Sequence, residues 1–188
     1  MRFYITLLLL VSCSNTSFTQ DDGKEEKMFW QKNRRLTWDD YKGKRKKVFA
    51  AASTVYSMYR NVYQDSAKNL MVSVKAVFYP NDSWKGSYID DALLAHEQRH
   101  FDIVELYARK LRKQVSEITV KNKSDAAQKL DSLHAVIAKE MDAFQDTYDK
   151  DTDYSMAHDE QQSWIKKIDD TINSLEAYKN TEVTLNKN

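Results

Sequence analysis

Between Leu93 and Ile118 the residues Leu93, His96, His100, Val104, Tyr107, Leu111, Val115 and Ile118 recur at spacings of three or four. A helix gathers such positions into one stripe, here about seven turns long, and a stripe of that length needs a core to cover it. Ser87 with Asp90 three residues later fits a capping box at its start. The stripe carries two histidines, so both are expected to face the interior.

Upstream the period is that of a strand. In "NLMVSVKAVFYP", Met71, Ser73, Lys75 and Val77 alternate with Val72, Val74, Ala76 and Phe78, and the run stops at Pro80 and the turn residues "NDS". "KVFAAASTVYSMYRNVY" alternates more loosely, which together predicts a small antiparallel sheet before residue 82. Downstream, Ser124 can cap a second helix carrying Leu130, Leu133, Ile137, Met141, Phe144 and Tyr148. "YDKDTDYSMAHDEQ" interrupts the pattern before a third helix with Trp164, Ile165, Ile168, Ile172 and Leu175. The expected class is α+β, a small antiparallel sheet followed by three helices. With 188 residues, 41% hydrophobic and only three Gly and one Pro, one core suffices, and Trp38, Trp84 and Trp164 read as its anchors.

Charge excludes one class of partner. The 29 basic residues face 28 acidic ones and basic clusters such as Lys44 to Lys47 are short, so no nucleic acid is expected to bind. The start, "MRFYITLLLLVSCSNTSFTQ", joins Arg2 to an apolar run from Phe3 to Val11, too short to span a bilayer, and reads as an export signal over residues 1–20. "LVSC" offers a lipobox alternative in which a lipidated Cys13 would attach the protein to a membrane. Cys13 is the sole cysteine, so no disulfide is expected in the exported domain, and stability rests on the core or a metal. Residues 21–29 read as a charged linker, 30–178 as a single domain and 179–188 as a polar tail.

Within the long helix, His96-Glu97-Gln98-Arg99-His100 has the form HExxH. Imidazoles four apart lie one above the other and can share a Zn²⁺ at about 2.0–2.1 Å. Glu97 lies about 100° round the axis, beside the metal, where it can take a proton from a water whose pKa zinc lowers towards about 7. Two core histidines falling four apart beside a glutamate by accident should occur in well under about 1% of chains this long. A structural zinc is the stronger competitor, but such sites are closed by four ligands and often use Cys.

"LLAHEQRHFDIVELYARKLRK", preceded by "LTWDDYKG", "AAST" and "SW" and followed by "YDKDTDYSMAHDEQQSW", resembles a family of bacterial secreted proteins, domain of unknown function 922, predicted to be zinc-dependent proteases. The likeness runs from about Trp30 to Ile168. It implies a zincin-like fold in which His96 and His100 are zinc ligands and Glu97 the catalytic base. The family's downstream pattern sets a histidine seven residues ahead of a glutamine, itself three ahead of a tryptophan. Counting back from Gln161 and Trp164 lands on Tyr154, so this chain departs from the pattern there. The candidates for a third ligand are His158, preferred for its nitrogen, then Tyr154, Asp153 and Asp149.

Asp102 and Glu105 follow on the helix. Asp102 is expected to steady a ligand or a neighbouring loop, or else, like Glu105, to form a helix-surface salt bridge. His134, without a partner motif, is expected to be packed or partly exposed rather than a ligand. The expected function is a secreted, periplasmic or envelope-attached zinc metallopeptidase acting on a peptide or protein substrate, which an edge strand such as 70–79 could hold by backbone pairing. The alternative is a non-catalytic envelope scaffold or binding protein with a structural or vestigial zinc.

Overall fold

A computed structural model describes residues 26–46, 48 and 50–187, so the expected export signal and Cys13 lie outside the described residues. The class is α+β, with a small antiparallel sheet and three helices. β1 (Met28–Phe29), β2 (Ala52–Ser53), β3 (Tyr56–Gln64), β4 (Leu70–Phe78) and β5 (Trp84–Lys85) precede α1 (Asp91–Glu117). β6 (Thr119–Val120), α2 (Lys123–Asp151), α3 (His158–Ser174), β7 (Glu182–Thr184) and β8 (Asn186–Lys187) follow.

β3 and β4 pair antiparallel along their full length, from Tyr56 opposite Phe78 to Gln64 opposite Leu70. The hairpin turn is closed by Asp65, whose carboxylate accepts from the Asn69 backbone at 2.8 Å. The even residues of β4, Leu70, Val72, Val74, Ala76 and Phe78, are buried against the core, as the alternation requires. Its other edge is taken by β1 at Val77 and Phe78, by β7 at Met71 to Ser73, and by Trp30 and Thr181 hydrogen bonds to Ala76 and Val74. Strand 70–79 is therefore central, and the substrate-pairing edge expected there is filled. β3 is the outer strand.

Segments near the two ends of the described chain fill that edge. Residues assigned to a linker and a polar tail supply β1 and β7, because two apolar or β-branched residues in each, Met28 with Phe29 and Val183 with Thr184, suffice to add a short strand to an exposed ladder. Leu185 is buried in the same core.

α1 runs through the middle of the molecule, between the sheet and helices α2 and α3. Its N-cap is Asp90, which accepts from Leu93 N at 2.8 Å, rather than Ser87. α2 is capped by Asn122 rather than Ser124, since Asn122 Oδ1 accepts from Asp125 N at 3.0 Å. Covered on several sides, α1 buries charged residues as well as its apolar stripe: Glu97, Arg99, Asp102, Glu105, Arg109 and Arg112. Glu105 is therefore not a surface salt bridge. Its two oxygens receive Arg109 Nε at 2.9 Å and both terminal nitrogens of Arg112 at 3.0 and 2.9 Å. Trp164 is buried in the hydrophobic core and Trp38 packs against it, while Trp84 is buried apart from that cluster.

Candidate metal centre

His96 and His100 leave one face of α1 a turn apart, and α2 crosses that face with Gln145, Asp149 and Thr152, which its own period stacks one above another. The three ligand-type atoms converge: His96 Nε2 lies 3.2 Å from Asp149 Oδ1, His100 Nε2 lies 3.0 Å from the same oxygen, and the two nitrogens are 3.2 Å apart. His96, His100 and Asp149 form a buried group able to hold a metal ion. A tetrahedral ion with bonds of about 2.0–2.1 Å spaces its ligands about 3.3 Å apart, so the separations suit a small metal cation.

The far sides of the rings decide which nitrogens face inward. Gln145 Nε2 donates to the His100 carbonyl at 3.0 Å, which turns Gln145 Oε1 towards His100 Nδ1, 2.7 Å away, as an acceptor. Thr152 gives its hydroxyl proton to the Tyr148 carbonyl at 2.7 Å and presents the oxygen to His96 Nδ1 at 3.4 Å. The network thus assigns a proton to each Nδ1 and leaves each Nε2 for a ligand. Tyr148, fully buried, stacks on the His96 ring at 4.6 Å and meets the His100 ring edge-on at 5.3 Å.

Charge within the group is shared unevenly. Burial opposes the charged form of His100, but the Asp149 carboxylate outweighs it and holds the imidazole up to about 9. Burial likewise works to raise Asp149, and the bonds from His100 and His96 overcome it, keeping this carboxyl well below the usual range. Burial dominates at His96 and pushes it down. One proton on His100 Nε2 therefore serves three converging lone pairs, an arrangement suited to a cation of higher charge.

Glu97 is buried on the neighbouring face of α1. Thr54, just ahead of β3, donates its hydroxyl to Glu97 Oε2 at 2.5 Å, and the Tyr41 hydroxyl lies 2.8 Å from Thr54 Oγ1. The Glu97 charge acts on both imidazoles, which places it beside the group without membership of it.

Of the four candidates for a third ligand, the structure brings Asp149 to the histidine pair. His158, the preferred one, is the exposed first residue of α3. Asp153 and Tyr154 are exposed in the intervening turn, where φ is 45° and 53°. The cause is the length of α2: it continues through "YDKD" to Asp151 instead of ending near Tyr148, which keeps Asp149 in register with Gln145. Asp102 touches neither histidine. It accepts from Trp30 Nε1 at 2.8 Å, Arg35 Nη1 at 3.0 Å, Gln98 Nε2 at 2.8 Å and Arg99 Nη1 at 2.9 Å, and so clamps the N-terminal segment to α1. His134 is partly buried on α2 outside the group, and burial followed by the charge of Arg60 pushes it down to about 4.

Gln145, Thr152, Thr54 and Tyr41 have no role legible in the sequence, and Tyr148 reads there only as part of the apolar stripe of α2. The spacing Gln145, Asp149 and Thr152 is a helical stripe of polar residues flanking the apolar face of α2, and that signal was present. Thr54 and Tyr41 had none beyond lying in "AAST" and "LTWDDYKG".

Residues 33–159 match a protein family described as bacterial protein of unknown function, DUF922, over about two thirds of the chain. No curated protein and no solved structure matches. No helix among the described residues is long and apolar enough to cross a membrane.

Proposed function

We propose that this chain, which belongs to the DUF922 family of bacterial proteins of unknown function, is an exported zinc-dependent peptidase. The observation that carries the reading is the convergence of His96 Nε2, His100 Nε2 and Asp149 Oδ1 within 3.2 Å of one another, with Glu97 alongside. Three protein ligands leave one position of a tetrahedral ion open, as catalytic zinc sites do, and a structural site would need a fourth. Among the described residues no further His, Cys, Asp or Glu joins this group.

Bound zinc would supply a Lewis acid and an acidified water. His96, His100 and Asp149 would hold it, with Gln145 and Thr152 fixing the imidazoles so that neither ring can turn its Nδ1 inward. Glu97 would take the proton of the attacking water and pass it to the leaving amine. Burial of Tyr148 against both rings excludes water from the rear of the site. Export rests on the leader read in residues 1–20, and attachment to a membrane on Cys13.

The test is hydrolysis of casein by the purified mature domain loaded with zinc, against the same protein treated with a chelator. Cleavage that zinc restores supports the reading, and zinc binding without cleavage of casein or a mixed peptide library favours the non-catalytic scaffold. A pH dependence follows as well. His100, held near 9, carries a proton at neutral pH that the metal must displace. Zinc binding at pH 7 is therefore expected to release about one proton, and the affinity to rise about tenfold per pH unit until His100 titrates. Calorimetry in buffers of different ionisation enthalpy reads that number directly.

A further inference from the structure

We propose that Thr54, oriented by Tyr41, is a positioning residue for the general base, a role that rests on the peptidase reading above. Each hydroxyl has one proton to give. Thr54 Oγ1 donates to Glu97 Oε2 at 2.5 Å, so the Tyr41 hydroxyl 2.8 Å away must be the donor to Thr54. The relay has one direction, Tyr41 to Thr54 to Glu97.

Its rigidity comes from both ends. The Tyr41 ring is buried, edge-on to Phe78 at 5.3 Å and 5.0 Å from Trp38. Burial, followed by the nearby charge of Glu97, raises this phenol, so it keeps its proton and remains a donor at neutral pH. Thr54 is held by the backbone on both sides. Ala52 and Ser53 pair with Lys85 and Trp84, and Val55 N donates to Ser83 Oγ at 2.9 Å.

The consequence is chemical. A carboxylate has two oxygens, and tying Oε2 to Thr54 sets the carboxylate plane, so that Oε1 alone remains to meet a water. A glutamate free to rotate would present the wrong oxygen or the wrong lone pair for part of the time, and misplacement on the scale of an ångström costs orders of magnitude in rate. Sheet and helix are thereby joined at the base: the β2–β3 segment supplies the donor, and α1 the acceptor.

The experiment compares Thr54→Val, Thr54→Ser and Tyr41→Phe in the full mature domain, reading zinc affinity, melting temperature, kcat and KM on casein, and binding of acetohydroxamate to the cobalt-substituted protein by its visible spectrum. Thr54→Val is expected to lower kcat by about 10–100-fold, and to weaken acetohydroxamate by about 10-fold, with zinc affinity and KM within about twofold. Thr54→Ser should restore both readouts, and Tyr41→Phe should fall between. Wild-type kcat and acetohydroxamate affinity in Thr54→Val would overturn the proposal, as would losses that follow zinc affinity or melting temperature. If the wild type binds zinc but cleaves nothing, the peptidase reading fails while acetohydroxamate still decides whether Thr54 orients Glu97.

Discussion

Glu97→Gln is expected to lower the rate of hydrolysis by about 10²–10⁴-fold, the usual worth of a positioned general base, while zinc affinity stays within a few-fold of wild type. The substitution keeps the length and shape of the side chain and an oxygen able to accept from Thr54 Oγ1. What it removes is the capacity to take a proton. Zinc affinity should survive because the Glu97 carboxylate stands outside the group formed by His96, His100 and Asp149. Initial rates beside a competitive zinc titration separate the two effects. A rate within tenfold of wild type would mean that another group carries the proton.

Glu105→Ala is expected to cost about 3–5 kcal/mol of stability, the range for stranding a buried charge by removing its partner. Glu105 is the carboxylate shared by Arg109 and Arg112 in the middle of α1, and as whole residues all three are at most 3% exposed. Arg112 also donates to the carbonyls of Val74 at 3.0 Å and Tyr178 at 2.9 Å, and Arg109 to that of Ile172 at 3.0 Å. Those bonds tie α1 to β4 and to the C-terminal segment. Without Glu105 two buried guanidinium groups keep their backbone partners, but among the described residues Arg112 is left with no carboxylate and Arg109 with Glu176, which is exposed. Against a total stability of about 5–15 kcal/mol this is a large fraction. The exposed pair Lys166 and Asp170 gives the contrast: Asp170→Ala should leave stability close to that of the wild type. Denaturant midpoints on the two variants check both expectations.

What the sequence revealed and what it hid divide along a physical line. The α1 stripe, the β4 alternation and the HExxH pair were legible because each is a periodicity within one element. Partners across elements were not. Asp149 was one of four candidates, and choosing it required knowing that α2 continues past Tyr148, a matter of tertiary support rather than local propensity, since "YDKDTD" has weak helix preference by itself. Glu105 and Asp102 could pass for surface charges because the pattern on α1 shows one apolar stripe, whereas burial of its remaining faces depends on α3 and on the N-terminal segment. β1 and β7 were hidden for a related reason: strands of two and three residues carry no period to detect.

The central claim is that His96, His100 and Asp149 together bind the metal, and competitive zinc titration of wild type, Asp149→Ala and His158→Ala tests it most directly. The wild type is expected to bind one zinc. Loss of a direct ligand should exceed the 10–100-fold typical of an outer partner, so Asp149→Ala is expected to weaken zinc by more than about 100-fold. His158→Ala, altering an exposed residue at the start of α3, should leave the affinity within about twofold. A wild type that binds no zinc, or an Asp149→Ala variant that binds it as tightly while His158→Ala does not, would contradict the account.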